Sequence, residues 1–417
     1  MKLLVVGSGG REHAIIWAFK QSKEITEIFC ANGNAGISEL ATCINIKPDE
    51  IEKIADFAEK EAIDLTFVGG ETSLALGIVD EFESRGLKII GASQKAAQLE
   101  SSKAFAKDFM AYHNIPTAKY RVADSAEEAK ELISEFDEKV VVKADGLAAG
   151  KGVVVAQSHQ EAIQAIDELQ TIVGEVAMQQ IILEECLFGK EISLLLFADG
   201  KNFALMPPVR DHKRVGEGDV GANTGGMGTF SEDNLLNQEQ LNQIIKEIVN
   251  PTLEGCEKDG FSFRGILFLG LMMTESGAKV IEYNVRFGDP ETQSIMVRLE
   301  TDLLEICQAM LTQRLDEIEI KWKKGSSACV VLASENYPAK PKVGDIITGL
   351  NEAEDVVIFH AGTSKDEVGN FITSGGRVLG VTANGENLDE ALSKAYKAVS
   401  QINWKGIHYR RDIGKTL

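Results

Sequence analysis

The chain lacks the long apolar segments that mark membrane-bound and secreted proteins. Its longest apolar runs, 192–198 and 266–273, are far shorter than the ~20 residues of a membrane-spanning helix. The strand-like N-terminus, 2–6, leads straight into glycines and charged residues, unlike a signal peptide. We therefore expect a cytoplasmic protein with no membrane partner.

Cysteine is scarce, and its spacing gives no metal or disulfide motif. None of the six cysteines forms a pair at CxxC spacing, so neither a zinc site nor a disulfide framework is predicted. Most of them lie among apolar residues, as reduced cytosolic cysteines do.

Positive charge is in deficit. The 43 Lys and Arg residues against 64 Asp and Glu residues give a net charge of −21. A mean field of this sign repels phosphates, which excludes general binding to nucleic acids or anionic membranes. Anions must therefore bind in local pockets of glycine amides and a few basic side chains.

The length of the chain, 417 residues, predicts two to four domains.

The first hundred residues alternate between strands and helices, which predicts a doubly wound parallel sheet. Four apolar runs, each followed by glycine or asparagine, have the length of buried strands: 2–6, 28–31, 65–68 and 87–90. The glycines at 7–10 precede a helix and favour an anion. Glu12 replaces the last glycine of a dinucleotide fingerprint, which disfavours NAD. A phosphate site and a structural turn both remain open.

A strand–loop–strand hairpin lies between two helices in residues 120–190. Capping boxes at 125–128 and 158–161 open these helices. The loop KADGLAAGKG, 143–152, combines glycines and lysines that suit a flexible flap over polyphosphate. A strand follows Lys151, so the loop is not a Walker A motif. A mobile turn without a ligand is the alternative.

The segment EYNVRFGDPE, 282–291, is the most specific of the motifs. On a strand, Glu282, Asn284 and Arg286 point to one face. Carboxylate and amide oxygens suit Mg²⁺, and an arginine beside them can clamp a phosphate or carboxylate. An edge strand with a fortuitous ion pair is the alternative.

Two further segments gain meaning from their neighbours. The acidic run at 184–191 suits a hinge that meets adenine and ribose, although a solvated turn is the simpler reading. The charged run 210–214 precedes a glycine-rich loop, 215–228, that permits close approach to a ligand. We assign no catalytic role to His212, because a lone histidine is more often structural.

Together these motifs resemble the ATP-grasp superfamily and, within it, the ligases that join glycine to phosphoribosylamine. The resemblance runs nearly end to end and is most specific in four segments: NTGGMG at 223–228, EYNVRFGDPETQ at 282–293, TSGGRVLGV at 373–381 and YRRDIG at 409–414. It implies an α/β multidomain fold. A Rossmann-like domain, 1–101, precedes an ATP-grasp core, 102–323, with a lid at about 120–190, and a mixed β/α domain, 324–417.

The resemblance also implies a reaction and its site. ATP and Mg²⁺ or Mn²⁺ would serve a purine-biosynthesis ligase that joins glycine to 5-phospho-D-ribosylamine through glycyl phosphate. The expected ATP-binding residues are Lys103, Lys143, Gly150, Lys151, Gly152, Glu184, Leu187 and Glu191. The expected metal ligands are Glu282 and Asn284. The expected catalytic residues are Arg286, Asp211 and Lys213, the first two also binding glycine. The expected phosphoribosylamine contacts are Gly9, Gly10, Asn32, Gly33, Asn34, Gly36, Glu71 and Thr72.

Some positions depart from the family pattern, and rival functions stay open. Arg210, Ala222 and Gly70 replace residues common in the family, and Asn336 replaces a glycine whose left-handed backbone asparagine tolerates. The nearest rival is an ATP-grasp ligase with another phosphorylated amine acceptor. An NAD-dependent dehydrogenase and a nucleotide-binding regulatory module are the others. A monomer without a nucleic-acid partner is expected.

Overall fold

The computed structural model describes residues 1–146, 152–173 and 180–415. Its N-terminal part is a five-stranded parallel sheet in the order β3-β2-β1-β4-β5. The strands are β1 (Lys2–Gly7), β2 (Glu27–Asn32), β3 (Thr42–Ile44), β4 (Leu65–Val68) and β5 (Ile89–Ile90). The helices are α1 (Gly10–Phe19), α2 (Ile51–Lys60), α3 (Glu71–Ala75) and α4 (Ile78–Ser84). The predicted parallel sheet is confirmed, and its strand order reverses between β1 and β4.

A second, antiparallel sheet follows helices α5 (Gln94–Ser101) and α6 (Lys103–Tyr112). Its order is β6-β9-β7-β8. The strands are β6 (Tyr120–Ala123), β7 (Val140–Ala144), β8 (Val153–Ala156) and β9 (Ile181–Glu185), with helices α7 (Ala126–Leu132) and α8 (His159–Val173). Ser125 Oγ accepts a hydrogen bond from the Glu128 N–H, and Ser158 Oγ accepts one from the Glu161 N–H, as the capping boxes predict. We call this sheet with its two helices the lid.

A third sheet joins the central and C-terminal parts of the chain. Its nine strands run in the order β17-β16-β10-β12-β15-β18-β22-β19, with β11 beside β10. The strands are β10 (Lys190–Asp199), β11 (Phe203–Leu205), β12 (Val209–Asp211), β15 (Gly228–Glu232), β16 (Arg264–Thr274), β17 (Gly277–Asn284), β18 (Ser326–Ala333), β19 (Val357–His360) and β22 (Arg377–Gly385). Because β15 pairs with β18, this sheet continues across residue 324, where the sequence predicts a domain boundary.

Two short hairpins and five helices complete the described chain. The hairpins are β13 (Arg214–Gly216) with β14 (Val220–Asn223) and β20 (Thr363–Lys365) with β21 (Phe371–Thr373). The helices are α9 (Gln238–Ile244), α10 (Asn250–Lys258), α11 (Glu291–Met296), α12 (Leu303–Leu311) and α13 (Leu388–Val399), with a π turn at Ile245–Val249. Among the described helices, none has both the length and the apolar character needed to cross a membrane.

Alternation along β10 and β16 explains why their sequences are almost wholly apolar. Leu194 and Leu269 lie in one buried cluster, whereas their neighbours Leu195 and Phe268 lie in another. Both faces of these strands are therefore covered, and no polar face is left to break the run.

In the C-terminal part, Asn336 adopts φ of +73°, as the sequence predicts.

Candidate active site

A cavity of about 710 Å³ collects most of the predicted site residues. Its walls come from the lid, from β17 with the loop after it, and from the segment around β12 to β14. Arg11 and Glu71, which follow β1 and β4 at the reversal of strand order, also reach it. The predicted residues that line it are Glu71, Lys103, Lys143, Gly152, Glu184, Leu187, Glu191, Asp211, Lys213, Glu282, Asn284 and Arg286.

The remaining predicted residues are not among those that line this cavity. They are Gly9, Gly10, Asn32, Gly33, Asn34, Gly36 and Thr72. The Gly9 N–H donates to Glu12 Oε2 at 2.6 Å, and the Asn34 side chain donates to the carbonyls of Ser8 and His360 at 2.8 and 2.9 Å. These loops therefore help to pack the N-terminal sheet on the C-terminal strands. Their phosphoribosylamine contacts stay predictions, and Gly150 and Lys151 lie outside the described residues.

One end of the cavity joins buried charge to an apolar wall. Glu184 on β9 forms ion pairs with two lysines. Lys143 Nζ lies 2.7 Å from its Oε1, and Lys107 Nζ lies 2.9 Å from its Oε2. Burial lowers the pKa of Lys107 to about 8, although Glu184 opposes the shift. The apolar wall beside these charges contains Val141, Val153, Val155, Leu187, Met272 and Ile281. An apolar slot beside lysines suits a nucleotide base and its phosphates.

Lys103 links helix α6 to the glycine loop of the lid. Its Nζ donates to the carbonyls of Asp145 and Gly146, the two residues that follow β7, at 3.3 and 3.1 Å. Burial lowers the pKa of Lys103, while Glu282 opposes the shift. A lysine that now satisfies only backbone carbonyls can turn to a stronger anionic partner such as a phosphate.

Glu282 and Asn284 present hard oxygen ligands to the middle of the cavity. Burial alone would raise the pKa of Glu282, but Lys213, Lys143 and Lys103 hold it below its usual range. Lys213 Nζ lies 4.0 Å from Glu282 Oε1 and 3.1 Å from Glu191 Oε2. Within the described ranges, no three His, Cys, Asp or Glu residues are grouped to hold a metal ion. The ionised carboxylate and the amide oxygen are hard ligands, which suit a Mg²⁺-type ion that also takes phosphate oxygens and water.

Arg286 is held in place by four polar contacts. Its Nε lies 3.2 Å from Glu71 Oε2, and its Nη2 lies 2.7 Å from Glu100 Oε1 and 3.0 Å from Asn284 Oδ1. Its Nη1 donates to the Phe287 carbonyl at 3.1 Å. Burial would raise the pKa of Glu71, yet Arg286 and Arg11 lower it to about 2.

Glu100 and Arg11 belong to this cluster but escaped the sequence analysis. Burial raises the pKa of Glu100 despite its arginine partner. Arg11 Nη1 lies 3.7 Å from Glu71 Oε2. Arg11 directly follows the glycines at 7–10, and this position next to a predicted anion site could have marked it as a candidate site residue. Glu100 lies in an ordinary helical pattern that gives none.

Asp211 and Glu291 form a second acidic group at the same end as Arg286. Burial and the charge of Glu291 raise the pKa of Asp211 well above its usual range, and burial raises the pKa of Glu291. Ser193 Oγ donates to Glu291 Oε1 at 3.1 Å. A cation bound beside this pair would oppose the rise in both pKa values.

Arg377 is a cavity residue from the C-terminal part of the chain that sequence reasoning did not assign. Its Nη1 donates to the carbonyls of Gly225 and Asp289 at 2.5 and 2.6 Å. The neighbouring Gly226 has φ of +110°, and a Cβ there would lie 2.4 Å from Pro290 Cδ. The NTGGMG loop is thus pressed against the loop that follows β17, which only a glycine permits.

His212 has a structural environment. It is buried, its Nδ1 lies 3.2 Å from the Gly228 carbonyl, and its Nε2 accepts a hydrogen bond from the Gly414 N–H at 3.3 Å. Burial lowers its pKa to about 4. These contacts are those of a structural histidine.

Three family models match successive parts of the chain. They describe the N, ATP-grasp (A) and C domains of phosphoribosylglycinamide synthetase and match residues 1–100, 101–292 and 327–416. Fold and site therefore define an ATP-grasp enzyme, an ATP-dependent ligase that forms a carbon–nitrogen bond. The chain belongs to the phosphoribosylglycinamide synthetase family. The predicted superfamily, family and fold class are confirmed.

Similar proteins span the whole chain. Proteins named phosphoribosylamine–glycine ligase from Caldanaerobacter subterraneus subsp. tengcongensis and Vibrio vulnificus are 45% and 46% identical over 414 and 421 residues. Each alignment covers 99% of this chain, and 99% and 98% of the relatives. A crystal structure of phosphoribosylamine–glycine ligase from Thermotoga maritima matches with a TM-score of 0.84 at 35% identity, covering 99% of this chain and 100% of that one.

Proposed function

We propose that this chain joins glycine to 5-phospho-D-ribosylamine in de novo purine biosynthesis. ATP is converted to ADP and phosphate, and N1-(5-phospho-D-ribosyl)glycinamide is formed. The observation that carries the proposal is a single cavity with a lysine-rich nucleotide end and an end built from Arg286 and Asp211. Membership of the phosphoribosylglycinamide synthetase family supports the choice of substrates.

The reaction has two transfers. A carboxylate oxygen of glycine attacks the γ-phosphorus of ATP, the bond to the bridging oxygen breaks, and ADP leaves. The amine of phosphoribosylamine then attacks the carbonyl carbon of glycyl phosphate, loses a proton and expels phosphate. Neither transfer needs a covalent bond to the protein, so positioning and electrostatics are the chain's contribution.

The nucleotide end binds and orients ATP in this proposal. Lys103 and Lys143 contact its phosphates, Glu184 and Leu187 meet the base, and Glu191 accepts from the ribose hydroxyls. Glu282 and Asn284 would hold Mg²⁺ or Mn²⁺, which supplies positive charge to phosphate oxygens when bound. The ion pairs that these side chains make with one another keep them oriented before the substrate arrives.

Glycine is bound between the arginine and the acidic pair. The planar guanidinium of Arg286 matches its carboxylate, and Lys213 adds charge beside the transferred phosphoryl group. The glycine ammonium would lie beside Asp211 and Glu291, where its charge opposes the rise that burial causes in their pKa values. Gly152, at the end of the glycine loop, would allow the lid to approach the phosphates.

An omission experiment tests this proposal. ADP and amide product are measured with MgATP after leaving out glycine, then phosphoribosylamine, which is generated in situ from ribose 5-phosphate and ammonia. We expect turnover that requires both substrates and yields one amide per ADP. ADP release with a different carboxylate or amine, but not with this pair, would show that the substrates assigned here are wrong. Light scattering during the assay tests the expected monomer.

A further inference from the structure

The hairpin β13–β14 forms one wall of the active-site cavity. Arg214 and Asn223 at its base, and Asp219 in its turn, line the cavity. The turn, 217–219, and the first three residues of β14, 220–222, are exposed to solvent. A short two-stranded hairpin is marginally stable by itself, so its position depends on what holds it.

The YRRDIG segment near the C-terminus holds this hairpin through several polar contacts. Asp412 Oδ2 accepts from the Gly218 N–H at 2.8 Å, and Glu217 Oε1 accepts from the Arg411 N–H at 3.1 Å. His408 Nε2 lies 2.9 Å from the Val215 carbonyl. The contacts join residues almost 200 positions apart and hold β13 and the turn of the hairpin against the C-terminal segment.

Arg410 lies at the centre of these contacts. Its side chain is 1% exposed, and its Nη1 lies 2.5 Å from Asp219 Oδ1 and 3.0 Å from the Arg214 carbonyl. Its Nε and Nη2 donate to the two oxygens of Asp412 at 2.8 and 2.7 Å. Two of these contacts, to Asp219 and to the Arg214 carbonyl, reach the hairpin, and the bidentate pair with Asp412 orients the guanidinium that makes them.

The same segment also supports the strand end that carries Asp211 and Lys213. Gly414 N–H donates to the His212 side chain, and Ile413 packs where a side chain on Gly228 would otherwise lie, 2.8 Å from its Cβ position. The C-terminal segment therefore supports both the hairpin and the neighbouring site residues.

We propose that Arg410 is a positioning residue that holds the β13–β14 hairpin against the cavity and thereby keeps water from glycyl phosphate. The inference rests on the proposed function, because it concerns that reaction's intermediate. When the hairpin is displaced, water adds to the carbonyl carbon, phosphate leaves and glycine is regenerated. ATP is then consumed without amide formation.

The test compares the amounts of ADP and amide formed by three variants. Arg410→Lys keeps the charge but not the planar fork. Asp412→Asn weakens the same contacts from the other side and guards against an Arg410 variant that does not fold. Arg411→Gln is the matched control, because Arg411 is the adjacent arginine, its side chain is 72% exposed and it pairs with Glu217 at 3.8 Å.

The ratio of ADP to amide separates positioning from structural support, because loss of folded enzyme lowers both products equally. We expect at least about a twofold rise in Arg410→Lys, a smaller rise in Asp412→Asn, and a ratio near one in wild type and Arg411→Gln. A ratio near one in every variant, at whatever rate, overturns the inference alone. A wild-type enzyme that makes no amide overturns the proposed function, and the inference with it.

Discussion

Replacing Arg286 with lysine tests the geometry of the site most directly. The guanidinium makes four polar contacts between 2.7 and 3.2 Å, with Glu71, Glu100, Asn284 and the Phe287 carbonyl. A lysine ammonium is a point charge that can satisfy at most about two of them. Each lost hydrogen bond to a charged group costs about 1.5–3 kcal/mol, so two cost about 3–6 kcal/mol.

Part of this loss appears in catalysis and part in stability. We expect kcat/KM for glycine to fall at least ~100-fold, which corresponds to about 2.7 kcal/mol of transition-state stabilisation. We expect the free energy of unfolding to fall by ~1–3 kcal/mol, because the ammonium cannot keep both the contact with buried Glu100 and the other contacts of the guanidinium. Glycine-dependent ADP release at saturating ATP measures the first quantity, and urea unfolding measures the second.

Arg314→Lys is the matched control for this substitution. Arg314 forms an exposed ion pair with Glu317 at 3.8 Å, and such pairs contribute about 0–1 kcal/mol. For Arg314→Lys, both kcat/KM for glycine and the free energy of unfolding should match those of wild type. A folded Arg286→Lys enzyme whose kcat/KM stays within about threefold of wild type would refute the proposed clamp.

Three other perturbations follow from the geometry. Glu282→Ala removes an ionised metal ligand, so ADP release should fall at least ~100-fold and a higher Mg²⁺ concentration should be needed in a titration. Lys107→Met leaves Glu184 with one lysine, so the free energy of unfolding should fall by ~3 kcal/mol. In the same variant, KM for ATP should rise by a larger factor than kcat falls. Burial lowers the pKa of His13 to about 3 and of His360 to about 4, so both are neutral in the fold. The unfolded chain protonates them below pH ~6.5, so stability is lost between pH 6.5 and 4, by up to ~1.4 kcal/mol per pH unit for each histidine.

Each of these has its own control. Near-normal turnover in Glu282→Ala would remove the metal assignment. Lys130→Met breaks an exposed lid pair with Asp167, 2.6 Å apart, and should leave KM for ATP unchanged; equal effects at Lys107 and Lys130 would refute the special role of the buried pair. His13→Gln should flatten the slope of urea-unfolding free energy against pH, and an unchanged slope would show that His13 does not titrate on unfolding.

Local patterns in the sequence predicted the elements and the densest part of the site. Strand periodicity predicted that Glu282, Asn284 and Arg286 share one face. All three line the cavity, although β17 ends at Asn284 and Arg286 reaches Asn284 from the bend that follows the strand. Capping residues located the starts of the lid helices. These features depend on hydrogen bonds and alternation within a few residues, so a single sequence is enough to find them.

Only the tertiary structure decided which distant residues meet. Glu100 reaches Arg286 across 186 positions, Arg377 reaches the NTGGMG loop, and β18 extends the central sheet beyond the expected boundary. The YRRDIG segment marked Arg410 without giving it a role, and its burial beside the hairpin is what indicates one. Such contacts arise when separately formed layers pack on one another, and no local periodicity or cap encodes which surfaces will face.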